Sequence, residues 1–263
     1  MKSYGQYCPI ARTSELLAER WTPIIVRNLL AGCRTFTQIR EGAPGIPKAL
    51  LAERLATLER FGVVERRANP HKRGATYELT DSGRELKAVC DAMGEWGARW
   101  LEMEPSHFDP AYILWATCRL VDVAKVPHGR TVVRFELTDD PRRAFWMLIE
   151  HPRAEFCTAY PGCPEDLIVT TDSATLVKCN LRNISFQEAS RAGRFLVEGP
   201  PGLVRAFPAW IRPSPFAHVR VSVRWDRTSV EQAVTSEQVI VGDLGEAVEP
   251  EVVAVHRDVR LKR

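Results

Sequence analysis

The sequence predicts an α+β chain built in two parts. Three observations carry this. Apolar residues recur at helical spacing through the first part of the 263 residues. From Arg130 the period shortens to two, as in half-buried strands. Between the two, Met103 to Pro110 is a short polar segment punctuated by Pro105 and Pro110. The expected division is a helical domain over 1–103, a hinge with a connecting helix over 104–129, a sheet domain over 130–225 and an extension over 226–263.

The elements follow in order. Ser14 is a possible cap for a run of good helix formers ending at Arg20. Thr22 is expected to cap a second helix with Pro23 in its first position; Ile24, Ile25, Leu29 and Leu30 give it an apolar stripe, and Gly32 ends it. Thr35-Phe36-Thr37-Gln38-Ile39 opens a short third helix, and the glycines and proline of Glu41 to Gly45 make a turn. In the next helix Leu51, Leu55 and Leu58 fall at i, i+4, i+7 as a buried seam. Lys48, Ala49, Ala52, Glu53 and Ala56 share its other face. Val63 to Arg67 and Ala75 to Leu79 read as strands, joined by a turn with Lys72 and Arg73 at its tip. A long helix is expected from about Arg84 to Leu101.

Three short helices, a two-stranded hairpin and a further helix make a winged helix-turn-helix. The net charge of +3 is unevenly spread. Residues 44–74 set Lys48, Arg54, Arg60, Arg66, Arg67, Lys72 and Arg73 against Glu53, Glu59 and Glu65. Such a concentration is the footprint of a polyanion or a solvated charged face, and its position on the outward helix and hairpin favours double-stranded DNA. Lys48, Ala49, Ala52 and Glu53 are the candidates for base edges, since short side chains let a helix approach the major groove. Thr35, Thr37, Gln38, Lys72 and Arg73 are the candidates for phosphate. Arg54 and Arg60 share that surface, each with a glutamate near enough to pair.

From Cys8 to Leu101 the sequence resembles the HxlR family of bacterial winged-helix regulators. The resemblance rests on Cys8-Pro9-Ile10, Arg20-Trp21-Thr22, Arg34 to Ile39, Ala49 to Leu55, Gly62-Val63-Val64 and Tyr77 to Leu86. It implies a homodimer joined through N-terminal and C-terminal helices, with two recognition helices on a two-fold DNA site. Pro47 stands where the family often has serine, so a phosphate contact made there must move elsewhere. Cys8 has two readings, an unreactive thiol or a redox switch of the kind some family members carry at this place; Arg12 is the one nearby cation visible.

In the second part, Tyr112 to Val121 is apolar at helical spacing. Strands are expected at Thr131 to Leu137, Phe145 to Ile149, around Phe156-Cys157, at Leu167 to Thr171 and at Phe195 to Gly199. Helices are expected from Asp172 or Ser173, from Ser185 to Gly193, and from Leu203 to Ile211. Val219 to Trp225 alternates like an edge strand, Val239-Ile240-Val241 is a further strand candidate, and the chain ends on a basic run.

Residues 130–211 resemble the sterol-carrier-protein (SCP-2-like) domain. The best-matching runs are Leu167 to Leu176, Ser185-Phe186-Gln187-Glu188-Ala189, and Val197-Glu198-Gly199 before Leu203-Val204. This implies an SCP-2-like antiparallel sheet domain with helices on one face, often enclosing an apolar tunnel for lipids, sterols or acyl chains. Arg182 and Asn183 replace a glycine common in that family. The candidate lining is Phe135, Trp146, Leu148, Phe186, Leu203, Phe207 and Trp210, residues a plain core would also bury.

Other classes are disfavoured. The seven cysteines are scattered without a CxxC pair, so neither a disulfide scaffold nor a zinc ribbon is expected. No nucleotide loop, catalytic constellation or metal spacing is visible, the histidines 107, 128, 151 and 218 look isolated, and no cofactor or enzymatic activity is expected. With no apolar signal core behind Lys2 and no run near the ~18 residues of a membrane span, a cytoplasmic protein with no membrane partner is expected. The expected function is that of a dimeric DNA-binding regulator, a repressor, with the second domain a sensor for an apolar small molecule or a rigid scaffold. A redox regulator acting through Cys8 and a lipid-binding protein whose winged helix contacts only protein are the alternatives.

Overall fold

The computed structural model describes residues 3–68 and 74–220. Lys72, Arg73, most of the Val219–Trp225 strand, the Val239–Val241 strand and the basic end lie outside the described residues.

The first part follows the helical spacing closely. Helices α1 (Pro9–Leu17), α2 (Thr22–Leu30), α3 (Phe36–Glu41) and α4 (Lys48–Arg60) precede strands β1 (Val64–Ala68) and β2 (Ala75–Leu79), and α5 (Asp81–Trp100) closes the set. The two strands form an antiparallel wing with Arg66 opposite Tyr77. Ile25, Val26 and Leu29 of α2, Ile39 of α3 and the Leu51, Leu55, Leu58 seam of α4 meet in one core.

Two caps differ from expectation. Ser14 lies inside α1, which starts at Pro9 after Cys8. Thr22 is buried as the first residue of α2; the capping position belongs to Trp21, held at φ 79° without a side-chain cap. The start of α5 is also earlier than expected, because Thr80 caps it by accepting from the Gly83 N–H at 3.2 Å. The Thr80 hydroxyl donates to the Gly62 carbonyl at 2.6 Å and Ser82 does so at 2.9 Å. A Cβ on Gly83 would stand 2.2 Å from the Val63 oxygen, so the Thr80-Asp81-Ser82-Gly83 run locks α5 against the start of the wing.

The second part is a five-stranded mixed sheet. Its strands are β3 (Arg130–Leu137), β4 (Ala144–Glu150), β5 (Arg153–Cys157), β6 (Leu167–Thr171) and β7 (Phe195–Glu198), in the order β5-β4-β3-β6-β7. The β3–β6 pair is parallel and the other three pairs are antiparallel, which corrects the expected antiparallel sheet: the connection 158–166 carries the chain from the edge strand β5 to the far side of β3 in the same direction. Helices α6 (Pro110–Arg119), α7 (Ser173–Asn180), α8 (Phe186–Arg191) and α9 (Pro201–Trp210) supply the apolar residues that cover one sheet face. Asp172 caps α7 at 2.7 Å, and Ser185 and Glu188 form a reciprocal capping box on α8.

Helix α6, capped by Asp109, joins the two cores. Its Ile113, Leu114 and Cys118 face the sheet. Its Trp115 is buried in the winged-helix core, with Tyr112 and Ala116 packed beside it. Arg27 and Arg119 lie over the Trp115 ring at 5.6 and 5.4 Å. Arg27 also donates to the Tyr112 hydroxyl (3.1 Å), the Gly42 carbonyl (2.6 Å) and Asn28 (2.9 Å), and Asn28 in turn donates to the Ile39 carbonyl at 2.8 Å. A Cβ at Gly42 would stand 2.5 Å from Trp115. A second tie follows α9. Arg212 donates its N–H to Leu120, Ser214 to Asn180, and the Phe216 ring then lies on Gly94 of α5.

Trp115→Ala should cost about 3–5 kcal/mol, the range for removing a buried tryptophan. Urea unfolding followed by far-ultraviolet circular dichroism measures it; a loss under ~1 kcal/mol would show that the two cores do not depend on this ring. At the same junction, burial raises the Glu41 carboxyl above its ordinary value, against the pull of Arg119 and Arg40. Between the ordinary and the raised value the folded state holds the extra proton, so stability falls as pH rises through that window. Glu41→Gln should flatten the fall, and an unchanged pH–stability profile would contradict it.

Candidate nucleic-acid interface

Helices α3 and α4, with the turn Gly42 to Pro47 between them, are the helix-turn-helix. Its register comes from the leucine seam. Burying Leu51, Leu55 and Leu58 leaves Lys48, Ala49, Ala52, Glu53 and Ala56 exposed on the opposite side of α4. Small residues dominate that face, so the backbone can come close to a flat partner. Pro47 occupies the capping position of α4 without a side-chain cap, so neither a hydroxyl nor a proline N–H is offered there.

Arg54, expected on the DNA-facing surface with a glutamate near enough to pair, is held in two ion pairs. Its side chain is only 14% exposed, and its guanidinium bonds Glu19 at 2.8 Å and Glu53 at 3.0 Å. It clamps α4 to the segment after α1 and holds Glu53 in place. Thr35 and Gln38 also serve the fold first. The Thr35 oxygen accepts from the Gln38 N–H at 3.3 Å, and the Gln38 side-chain oxygen accepts from the backbone N–H of Arg34 (2.9 Å) and Thr35 (3.1 Å). The Gln38 amide hydrogens remain as donors. Thr37 is exposed on α3.

In the wing, Arg67 bridges Glu65 at 2.8 Å and Glu78 at 3.2 Å, two carboxylates that face each other across the strands, and it holds Glu65 below its ordinary value. Arg66 is exposed and has no ion pair among the described residues. The sequence reading missed one tie. Tyr77 donates its N–H to the Arg34 carbonyl at 2.8 Å, and Thr35 bridges to Thr76, which fixes the wing to the start of α3. This is a non-local pairing with no local signal.

The candidate ligand residues do not surround one cavity. Phe135, Phe186, Phe207 and Trp210 are buried against one another and Phe195, with ring centroids 5.0–6.4 Å apart along the chain of contacts. Leu203 packs on the same core. Trp146 and Leu148 alternate with the buried Phe145, Met147 and Ile149, so they face the other side of the sheet. There the Trp146 indole donates to Glu165 at 3.2 Å beneath Tyr160.

Cys8 is half-buried at the N-terminal cap of α1, beside a shallow depression lined by Tyr4, Gln6 and Ile10. Burial pushes the Cys118 thiol up to about 12 and the Cys179 thiol up to about 11. Two of the histidines are not isolated: the His128 and His151 rings lie 4.9 Å apart, a contact invisible at their sequence separation.

Residues 16–105 match the model of the HxlR-like helix-turn-helix family. An HTH-type transcriptional regulator of Synechocystis is 36% identical over 101 residues, 38% of this chain and 75% of that protein. YvaP, an HTH-type transcriptional regulator of Bacillus subtilis, is 33% identical over 40% of this chain and 97% of its own length. This chain belongs to the HxlR-like family. The reduced form of the transcriptional regulator YodB from B. subtilis is a solved structure similar to it, 36% identical over 35% of this chain and 92% of that one, with a TM-score of 0.32. As in its HxlR-like relatives, the N-terminal part is the DNA-binding domain of a transcriptional regulator.

On this HxlR-like surface Lys48→Ala should weaken binding to the preferred site by about 1–3 kcal/mol and relax the sequence preference at the base it meets. Arg54→Ala should instead lower the melting temperature. A Lys48→Ala protein with unchanged affinity, or an Arg54→Ala protein with unchanged melting, would reverse the two assignments.

Proposed function

We propose that this chain is a homodimeric transcriptional repressor whose α4 enters the major groove of a two-fold DNA site. The observation that carries the reading is the division of α4 into a leucine seam and an exposed face of Lys48, Ala49, Ala52 and Glu53. Those four take the base edges. Thr37, the Gln38 amide and Arg66 take phosphate, joined by Lys72 and Arg73 if the wing tip follows the backbone. Dimer formation is supported by an exposed apolar stripe, Val89, Met93, Trp96 and Trp100 along α5, with Tyr7 and Ile10 exposed near the N-terminus. Exposed apolar patches of this kind mark association surfaces.

The second part acts by binding or bracing rather than by catalysis. Helices on one sheet face favour reading 130–225 as an SCP-2-like domain joined through 104–129 to the winged helix over 1–103, although the parallel β3–β6 pair departs from the antiparallel sheet of that reading. The filled core gives no support to an apolar ligand held inside it. A second reading has one observation in its favour. Cys8 sits half-buried at a helix N-terminus, unlike the deeply buried Cys118 and Cys179, and diamide treatment has been applied to the similar YodB. Oxidation of Cys8 would then control DNA binding.

One titration tests both. The protein is titrated with its own upstream DNA and with random DNA at several salt concentrations, before and after diamide. Tighter binding to the upstream DNA with a steep negative salt slope is expected. No binding at low salt would overturn the repressor reading. Unchanged affinity after diamide, or the same change in a Cys8→Ser protein, would overturn the redox one.

A further inference from the structure

The face of the sheet away from the helices carries a depression of about 380 Å³ beside the β3–β4 turn. Arg134, Glu136 and Thr170 form its floor, and Thr138, Arg142 and Arg143 form its wall. Three guanidinium groups therefore stand against one carboxylate. That carboxylate is already taken, since Arg134 pairs with Glu136 at 2.8 Å.

The turn itself is held from several sides. The Thr138 N–H donates to the Thr171 carbonyl at 2.8 Å. Asp139 accepts the Ser173 N–H at 3.1 Å, at the start of α7. Asp140 pairs with Arg143 at 2.6 Å, and Arg143 lies 5.5 Å from the Phe145 ring centre. Both acids of the turn are thus engaged, and Arg142 has no ion pair among the described residues. The Thr138 and Thr170 hydroxyls make no hydrogen bond among the described residues either.

We propose that this depression binds a small organic anion, with its carboxylate or phosphate group held by Arg142 and the two threonine hydroxyls. A fixed guanidinium fork suits both groups, because it can donate two parallel hydrogen bonds. The volume lies at the small end of the ~300–1,000 Å³ typical of ligand sites, which limits the ligand to a compact molecule. Ala144 and Pro141 offer apolar contact to its body. This goes beyond the DNA reading and does not rest on it, since occupancy is measured without DNA.

The test is isothermal titration of the full chain with sodium benzoate, with inorganic phosphate and with benzyl alcohol as the neutral counterpart. Saturable binding of benzoate or phosphate is expected, and none of benzyl alcohol. Benzoate alone would identify a carboxylate ligand, phosphate alone a phosphate ester. Arg142→Ala should weaken the anion by about tenfold or more, equivalent to ~1.4 kcal/mol. Arg191→Ala, which alters an exposed arginine of α8 outside the depression, should leave affinity unchanged. Arg142 is exposed, and an unchanged circular dichroism spectrum would confirm that its variant folds. No saturable heat with either anion, equal binding of benzyl alcohol, or equal losses in the two variants would overturn the proposal.

Discussion

Two guanidinium groups lie over the Trp115 ring, Arg27 from the winged helix and Arg119 from its own helix. Much of the rest depends on this contact. A helix that joins two domains normally has one face to bury, but α6 has to satisfy both sides at once. Its sheet-facing residues include Ile113, Leu114 and Cys118, and its winged-helix-facing residues include the aromatic Tyr112 and Trp115. The aromatic side answers a specific problem, the half-buried charge of Arg27 at the edge of a core. A cation over an aromatic ring gains ~0.5–2 kcal/mol, more as water is excluded, and the Tyr112 hydroxyl, Asn28 and the Gly42 carbonyl supply acceptors. Arg27 thereby links the turn of the helix-turn-helix to the second part of the chain, and Gly42 must remain glycine because Trp115 occupies the space of its side chain.

The same economy of charge shapes the DNA-facing surface. The basic window of residues 44–74 looks uniform in the sequence, yet its members divide into two groups. Arg54 and Arg67 are tied to glutamates, one between α4 and the segment after α1 and one across the wing. Exposed surface pairs contribute only ~0–1 kcal/mol each, but Arg54 is nearly covered, so its role is to set the position of α4. Lys48 and Arg66 carry charge that no described carboxylate neutralises. The electrostatic reach of the domain is therefore smaller than the residue count suggests and more sharply directed.

Where a local rule decides, the sequence was legible. The leucine seam of α4, the capping residues Asp172 and Ser185, and the alternation of β3 all depend on neighbours within a few positions. Ser14 and Thr22 show the limit of such a rule, because a hydroxyl at a cap and a hydroxyl inside a helix look alike in one dimension. Nothing near Trp21 announces a left-handed backbone at a bulky residue. In the site, the outward face of α4 was readable, but the fates of Arg54 and Gln38 depend on Glu19 and on the backbone of Arg34, which the fold brings to them. The sheet posed a harder case. Phe145 to Ile149 is apolar throughout, so its two faces cannot be told apart until the covering helices are known. For that reason the sequence pattern places Trp146 with Phe135, although they lie on opposite sides of the sheet.

The two ties between the parts bear on how a signal would travel. The N-terminal half of α5 rests on α2 and on the wing, through Leu86, Cys90 and the Gly83 contact. Its C-terminal half meets Phe216, which follows the last helix of the sheet domain. A glycine inside a helix costs ~1 kcal/mol relative to alanine, and Gly94 gives that cost a purpose by admitting the Phe216 ring. The apolar stripe of Met93, Trp96 and Trp100 lies along this same half. The direction of the stripe is thus set by the sheet domain, while the position of α4 is set by the winged-helix core. In a dimer built on that stripe, the distance between two recognition helices would depend on how firmly Phe216 holds α5, and a ligand would alter it only by binding one position of that strap better than another.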